Sequence, residues 1–316
     1  MPPLEESLLG RVLEGGLIDP PAPLVAMLSG GRDSVCMLDL AVRARGPEAV
    51  RALHVNYGLR PEAGADERHC AELCAALGVE LVVERAVRPE GGGNLQAWAR
   101  DRRYGAAARL ADPQAATIVT GHTADDQVET ILYRLASSPS RRALLGMRRR
   151  DGLLARPLLD ASREETTAYC QARGLAWRED TSNEDPSFAR SRVRHGLLPE
   201  LERVHPAARA NVLRTAEILR DEAEVLDALV AAELRGGDGV GRGEIALARF
   251  RELPPALRRL VLQRLADAAF GRPLAGAARF AEQVAGLRPA GGARLDLGGG
   301  VRAVVEHGVL RTERDG

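Results

Sequence analysis

Residues Leu24–Ser34 read Leu-Val-Ala-Met-Leu-Ser-Gly-Gly-Arg-Asp-Ser, an apolar run of strand type that passes through a glycine turn into a helical pattern. Such a turn presents backbone N–H groups and a helix N-terminus to an anion, and its glycines let the backbone approach a phosphate closely. The spacing fits neither the G-x-G-x-x-G pattern of dinucleotide-binding folds nor the Walker pattern G-x-x-x-x-G-K-[ST]. The stretch therefore predicts a phosphate cradle of another type, formed by Ser29, Gly30, Gly31, Arg32, Asp33 and Ser34.

The sequence around this turn predicts an α/β fold with a doubly wound parallel sheet. Short apolar runs alternate with longer stretches of helical periodicity, which is typical of βαβ crossovers. Ligands of such sheets bind beyond the carboxyl ends of the strands. The predicted strands are 24–28, 49–55, 79–84 and 117–120, and the predicted helices are 34–45, 63–77, 94–111 and 124–136.

Beyond residue 150 the pattern predicts further helices and a small α+β domain. Helical periodicity returns over 162–173, 196–204 and 206–233, and glycines between 236 and 243 predict a linker or loop. Two more helical stretches, near 254–270 and 275–286, precede a hairpin around Gly298–Gly300. We predict a nucleotide-binding domain over 1–190, connecting helices over 191–235, and a small C-terminal domain over 236–316.

The composition excludes several classes of protein. All 44 basic residues are Arg and balance 44 acidic residues, so a catalytic lysine, a Walker lysine and a globally basic nucleic-acid binder are excluded. Any nucleic-acid surface must be local, and the Arg-rich segments 141–150 and 190–214 are the candidates. The four cysteines contain no C-x-x-C pair, which argues against a disulfide framework or a thiolate zinc site. No apolar run reaches the roughly 18 residues of a membrane span, so we expect a cytoplasmic protein.

Three further segments lie where the predicted sheet would meet its ligand: His54–Arg60, Ala97–Tyr104 and Thr120–Thr130. Together with the cradle and with Arg156–Leu159, Glu179–Asn183 and Arg190–Arg194, they resemble the tRNA(Ile)-lysidine synthetases, which belong to the PP-loop ATP pyrophosphatases. The resemblance extends over about residues 22–220 and is loose beyond them.

This resemblance implies a PP-loop ATP-binding catalytic domain and a ligase that attaches lysine to C2 of the wobble cytidine of an isoleucine tRNA. The implied reaction passes through an adenylated cytidine and releases pyrophosphate and AMP. The implied cofactors are ATP and Mg²⁺, the implied partners are tRNA and lysine, and a homodimer remains open. Two alternatives stay open as well: another PP-loop tRNA-modifying enzyme such as a thiouridylase, and a non-catalytic nucleotide-binding module.

Asp33, Arg103 and His122 are the first candidates for catalysis. A carboxylate beside phosphate oxygens is repulsive unless a divalent cation bridges them, so Asp33 is assigned to Mg²⁺, with helix capping as the alternative. Arg103 and Arg100 share a helical face that suits an anionic transition state or a solvated surface, and the resemblance favours Arg103. His122, at the end of a predicted strand, would reach a phosphate or substrate or else be a core histidine.

The remaining candidates serve the substrates. Asp125 and Asp126 are candidates for binding lysine, and Asp125 also for catalysis, although Thr123 makes a capping box an equal reading. His54 is assigned to the adenine edge, with a buried strand histidine as the alternative. The candidates for tRNA binding are Arg141, Arg142, Arg190, Arg192 and Arg194.

Overall fold

The computed structural model describes residues 4–18, 21–59, 61–88, 93–111, 116–138, 140–179, 188–235, 243–289 and 292–314. The chain divides into two compact units, Met1–Glu217 and Ile218–Gly316. The division into three parts at 190 and 235 stays a prediction.

Among its described residues the first unit has six strands, which are β1 (Leu24–Met27), β2 (Val50–Asn56), β3 (Glu80–Arg85), β4 (Thr117–Val119), β5 (Arg150–Asp151) and β6 (Leu154–Ala155). The helices up to the boundary are α1 (Leu4–Glu14), α2 (Arg32–Arg45), α3 (Ala63–Leu77), α4 (Leu95–Leu110), α5 (Ala124–Ser137), α6 (Arg141–Leu144), α7 (Arg163–Ala172), α8 (Ala189–Arg192), α9 (Leu198–Val204) and α10 (Ala208–Glu233), which continues past residue 217.

The six strands form one sheet in the order β3-β2-β1-β4-β6-β5, parallel except for β5. Alternate residues of β1 pack into two hydrophobic cores, one on each face of the sheet. Leu24 and Ala26 pack in the core that α1, α2, α3 and α7 complete, whereas Val25 and Met27 pack with Ala107 of α4. Because both faces are covered by helices, β1 carries no polar residue. The predicted doubly wound α/β sheet is confirmed.

Two features of this unit differ from the sequence-based expectation. The β5–β6 hairpin was not predicted, because each strand has only two residues and gives no periodic signal. The helix expected over 196–204 is continuous with α8 through a π-helical turn, Val193–Leu197. Pro199, in the first turn of α9, would crowd the carbonyl four residues earlier in a regular helix, and the wider turn accommodates it.

The second unit has a four-stranded antiparallel sheet in the order β7-β10-β9-β8, with β7 (Ile245–Ala246), β8 (Ala293–Gly298), β9 (Val301–Glu306) and β10 (Val309–Arg314). The helices that follow α10 are α11 (Leu247–Glu252), α12 (Pro255–Phe270) and α13 (Ala281–Ala285). The predicted hairpin therefore exists, with a third strand beside it, and the small α+β domain is confirmed. Most of the predicted linker glycines, at 236, 237, 239 and 241, lie outside the described residues.

Within the described ranges, none of the helices combines the length and the apolar stretch that a bilayer crossing needs.

The loop after β4 meets the first turn of α2 at Gly121. A Cβ atom on Gly121 would lie 2.4 Å from the carbonyl oxygen of Asp33 and 2.9 Å from the backbone nitrogen of Ser34. Gly121 does not have a positive φ, so glycine is needed here for close approach and not for backbone conformation. This contact brings together the two loops that follow β1 and β4.

We expect Gly121→Ala to lower the free energy of unfolding by about 1–3 kcal/mol, because the added methyl group forces the two loops apart. Gly10→Ala is a matched control, since a Cβ there meets no atom within 4 Å and Gly10 lies inside α1. The control should be neutral or stabilising by up to about 1 kcal/mol. Chemical denaturation of both variants checks this, and equal stability of the two would contradict the close approach.

Candidate active site

A cavity of about 590 Å³ lies at the carboxyl edge of the first sheet. This volume is within the range of small-molecule sites. Its wall brings together ten of the predicted residues, which are Ser29, Gly31, Arg32, Asp33, Ser34, Arg103, His122, Asp126, Arg190 and Arg194. The predicted residues that do not line it are Gly30, His54, Asp125, Arg141, Arg142 and Arg192.

The glycine turn after β1 leaves the N-terminus of α2 open to the cavity. Gly30 has φ +85°, a left-handed conformation that favours glycine. The Ser34 hydroxyl donates to the Gly31 carbonyl at 2.7 Å, and the Ser29 N–H donates to the Ser34 hydroxyl oxygen at 3.2 Å. Gly31 is the N-cap, and no side chain caps the helix. The first N–H groups of α2 therefore face an anion site, and Asp33 is not the cap.

Asp33 is held by two neighbours in the cavity wall. One carboxylate oxygen accepts hydrogen bonds from Arg32 Nε at 3.0 Å and from the Thr166 hydroxyl at 2.5 Å. Across the described part of the chain, no group of three or more His, Cys, Asp or Glu could hold a metal ion. Mg²⁺ commonly binds through one or two carboxylates together with substrate phosphates. Asp33 therefore fits a cation that arrives with a nucleotide, and the site does not form a cage of protein ligands.

His54 lies behind the turn. It is 5% exposed, and its Nδ1 is 3.0 Å from the carbonyl oxygen of Leu28, the residue before Ser29. The same nitrogen is 3.4 Å from Cys70 Sγ. From this position His54 contacts the backbone just before the cradle and does not line the cavity, so its role at the adenine edge stays a prediction.

His122 and Arg103 reach the cavity from the loop after β4 and from α4. His122 Nδ1 is 2.8 Å from the Thr120 hydroxyl. Burial lowers the pKa of His122 to about 4; Asp126 opposes this shift, and nearby arginines, including Arg103, add to it. The imidazole is therefore neutral near pH 7. The Arg103 guanidinium lies 5.4 Å from the centre of the Tyr104 ring, and its Nε is buried without a hydrogen-bond partner.

The two adjacent acids of α5 face different surroundings. Asp125 is 5% exposed, accepts a hydrogen bond from the backbone N–H of Arg163 at 2.8 Å, and pairs with Arg209 of α10. Asp126 forms a capping box with Thr123, whose N–H donates to its carboxylate at 2.9 Å. Only Asp126 lines the cavity. The capping reading therefore holds for Asp126 without removing it from the site.

Glu129, which the sequence analysis did not single out, organises this wall. It is 3% exposed and accepts two hydrogen bonds from Arg194, at 2.5 Å from Nε and 3.1 Å from the terminal nitrogen. The neighbouring Thr130 hydroxyl accepts a hydrogen bond from Arg190 at 3.3 Å. Glu129 lies about 100° around α5 from Val128, outside the apolar stripe, so the sequence carries no signal for its burial.

Two further residues close the site around the cradle. The backbone N–H of Arg178 donates to the Gly30 carbonyl at 2.9 Å, and its Nε donates to Asp66 at 2.6 Å. Of the quoted segment Glu179–Asn183, only Glu179 is described, and it lines the cavity. Arg60, from another quoted segment, also lies outside the described residues.

Comparison with known proteins assigns a family to most of the first unit. The family model of the PP-loop domain matches residues 13–201. The tRNA(Ile)-lysidine synthase of Thermus thermophilus is 38% identical over 296 residues, covering 92% of this chain and 57% of that protein. That of Azoarcus sp. is 39% identical and covers 91% of this chain and 65% of that protein. The chain thus spans less than two thirds of the length of these relatives.

A solved structure shares the fold. The U34-tRNA thiolase NcsA from Methanococcus maripaludis, solved with its [4Fe-4S] cluster, has a TM-score of 0.56 and 18% identity. The similarity covers 69% of this chain and 79% of that chain. At this identity the match concerns the fold alone.

The lowered pKa of His122 predicts a pH dependence of stability. The native imidazole takes up a proton near pH 4 and the unfolded one near pH 6.5. Between these values the unfolded state binds more protons, so the free energy of unfolding falls as the pH falls through this window. We expect the wild type to lose on the order of 1–2 kcal/mol relative to His122→Gln between about pH 6.5 and pH 5, and nothing above that window. Chemical denaturation across this range measures the difference, and parallel curves would contradict a native His122 that stays neutral down to about pH 4.

Proposed function

Because the chain belongs to the PP-loop domain family, we propose that it uses ATP to adenylate the wobble cytidine of an isoleucine tRNA and then ligates lysine to C2 of that base. The observation that carries the proposal is the single cavity in which the open N-terminus of α2, Arg103 and Asp126 meet. The two relatives with the printed name tRNA(Ile)-lysidine synthase support the choice of substrate.

In the first step the turn Ser29–Ser34 holds the phosphates of ATP with backbone N–H groups. The C2 oxygen of the cytidine attacks the α-phosphorus, and the bond to the β-phosphate oxygen breaks to release pyrophosphate. Arg103, whose Nε is buried without a partner, supplies a donor for the negative charge that develops. His122 supplies a neutral imidazole beside the phosphates, because its low pKa keeps it unprotonated.

Asp33 would hold Mg²⁺ when ATP is bound. The cation would neutralise phosphate charge, which is its usual role in phosphoryl chemistry. Arg32, now paired with the Asp33 carboxylate, would then be available for a phosphate oxygen.

In the second step an amine of lysine attacks C2 of the adenylated cytidine, the C2–O bond breaks, and AMP leaves. The attacking amine must lose a proton, so it needs an anionic neighbour. Asp126 is the cavity-lining acid of α5 and is our candidate for binding lysine. Asp125 is not favoured, because its carboxylate is occupied by Arg163 and Arg209.

The tRNA would approach along the arginine-bearing side of the cavity. Arg190 and Arg194 line the wall and are oriented by Thr130 and Glu129. Arg141, Arg142 and Arg192 lie away from the cavity wall and would contact more distant phosphates.

Incubation of the protein with isoleucine tRNA, ATP, Mg²⁺ and radiolabelled lysine tests the proposal. We expect label in the tRNA together with stoichiometric pyrophosphate and AMP, and none of these products from a folded Asp33→Asn variant. Pyrophosphate release without lysine incorporation would favour another tRNA-modifying reaction. ATP binding without pyrophosphate release would favour the non-catalytic alternative.

Substitution of Asp125 or of Asp126 by Asn should have different effects on lysine binding and on stability. Asp126→Asn keeps an oxygen that accepts from Thr123 but loses the charge, so we expect tRNA-dependent pyrophosphate release to persist and the KM for lysine to rise roughly tenfold or more. Asp125→Asn weakens the contact with Arg209, so we expect a stability loss of about 1–3 kcal/mol and an unchanged KM for lysine. Steady-state kinetics and denaturation separate these outcomes, and a matching rise of the lysine KM in both variants would reject the assignment.

A further inference from the structure

Arg156, which follows β6, is a buried cation whose hydrogen bonding is incomplete. The residue is 4% exposed. One terminal nitrogen donates to the Arg148 carbonyl at 2.6 Å, but Nε is buried without a partner. No carboxylate from the described ranges forms an ion pair with it. Burial lowers the pKa of Arg156 and Arg100 lowers it further, whereas Tyr104 and Asp151 oppose the shift. A buried guanidinium is costly unless an anion and further hydrogen bonds compensate it.

Other neighbours of Arg156 are cations. Arg134 of α5 is half-buried and donates to the Gly146 carbonyl at 2.6 Å. Burial lowers the pKa of Arg134, and Arg190, Arg100 and Arg156 lower it further. The described part of the chain provides no ion pair for Arg134, Arg190 or Arg100.

Tyr104 of α4 adds an aromatic support to this group. The guanidinium carbons of Arg100 and Arg103 lie 4.7 Å and 5.4 Å from the centre of its ring. Cation–π contacts of this kind orient arginine side chains without neutralising their charge. We call Arg100, Arg103, Arg134, Arg156 and Arg190 the arginine cluster. An excess of positive charge beside a cavity predicts an anion as its missing partner.

Two members of the cluster, Arg134 and Arg156, lie apart from the cradle for ATP. The turn Ser29–Ser34 follows β1, whereas Arg156 follows β6, two strands further along the sheet. At the usual spacing between strands this is about 10 Å. Arg134 lies ten residues beyond Ala124, the start of α5, which is about 15 Å along the helix. Arg134 and Arg156 do not line the cavity that contains the turn, although Arg156 is near enough to His122 to lower the pKa of that imidazole.

The cluster lies next to the Arg-rich segment 141–150. Arg134 and Arg156 donate to the carbonyls of Gly146 and Arg148 within this segment. Arg148, Arg149 and Arg150 have exposed side chains. A buried pair of cations that continues into an exposed basic segment suits a polyanion whose phosphates repeat along a chain. A free nucleotide is too short to contact both the buried arginines and the exposed segment.

We infer that Arg134 and Arg156 form a phosphate subsite for the RNA substrate and bind one backbone phosphate beside the cytidine that reacts at the cradle. Guanidinium groups suit this role because their donors match phosphate oxygens. This inference rests on the proposed function, because it takes RNA as the substrate. It adds a binding role for two residues that the reaction itself does not require.

The test uses anticodon stem–loop RNAs in which one loop phosphate at a time is replaced by a neutral methylphosphonate. Binding is measured for the wild type, Arg156→Gln, Arg134→Gln and the control Arg51→Gln. Arg51 lies at the amino end of β2 and pairs with Glu80 at 3.0 Å, so it is a charge-matched change away from the cavity. Thermal unfolding of each variant establishes that it is folded.

We expect the wild type to lose on the order of tenfold in affinity when one particular phosphate is neutralised. Arg156→Gln and Arg134→Gln should bind unmodified RNA more weakly than the wild type by a similar factor. Their affinity should not fall further when that phosphate is replaced by the methylphosphonate. The slope of log affinity against log salt should decrease by about 1 in both variants and stay unchanged in Arg51→Gln. If Arg156→Gln does not fold, Arg134→Gln and Arg156→Lys decide the question, with Arg156→Lys retaining much of the affinity.

The inference is overturned if the variants keep the wild-type sensitivity to every methylphosphonate. It is also overturned if they raise the KM for ATP without changing RNA affinity, because the cluster would then belong to the nucleotide. In both cases the wild type would still bind the stem–loop and incorporate lysine, so the proposed function would stand. A wild type that does not bind the RNA would instead reject both.

Discussion

The contact between Gly121 and the backbone of Asp33 is the constraint on which the rest of the site depends. It joins the ends of β1 and β4 so closely that a methyl group cannot enter. The open N-terminus of α2 and the side chain of His122 therefore face one cavity. The parallel sheet makes this possible, because the carboxyl ends of β1 and β4 lie at the same edge.

Much of the fold followed from local patterns. The apolar run before Ser29 is buried on both faces, and the strands and helices around it recur at spacings that permit only a few topologies. The resemblance to tRNA(Ile)-lysidine synthetases is confirmed by relatives at 38% and 39% identity. The shortest elements escaped prediction because the pairing of β5 and β6 depends on neighbours distant in sequence.

Less of the site than of the fold could be predicted from the sequence. Asp125 and Asp126 are adjacent and chemically identical, yet the helix turns them toward different surroundings, and only the packing of α7 and α10 decides which acid is occupied. Glu129 and Arg156 stand out because they are buried charges, and a sequence does not display burial. The low pKa of His122 likewise arises chiefly from burial, with Asp126 opposing the shift and nearby arginines adding to it.

The most direct test of this account is a crystal structure of the protein with α,β-methylene-ATP and Mn²⁺, in which anomalous scattering locates the cation. We predict that the phosphates contact the backbone N–H groups of residues 29–34, that the cation lies against the Asp33 carboxylate, and that Arg32 has left this carboxylate. A triphosphate bound elsewhere in the cavity, with the contacts of Asp33 to Arg32 and Thr166 intact, would contradict the account.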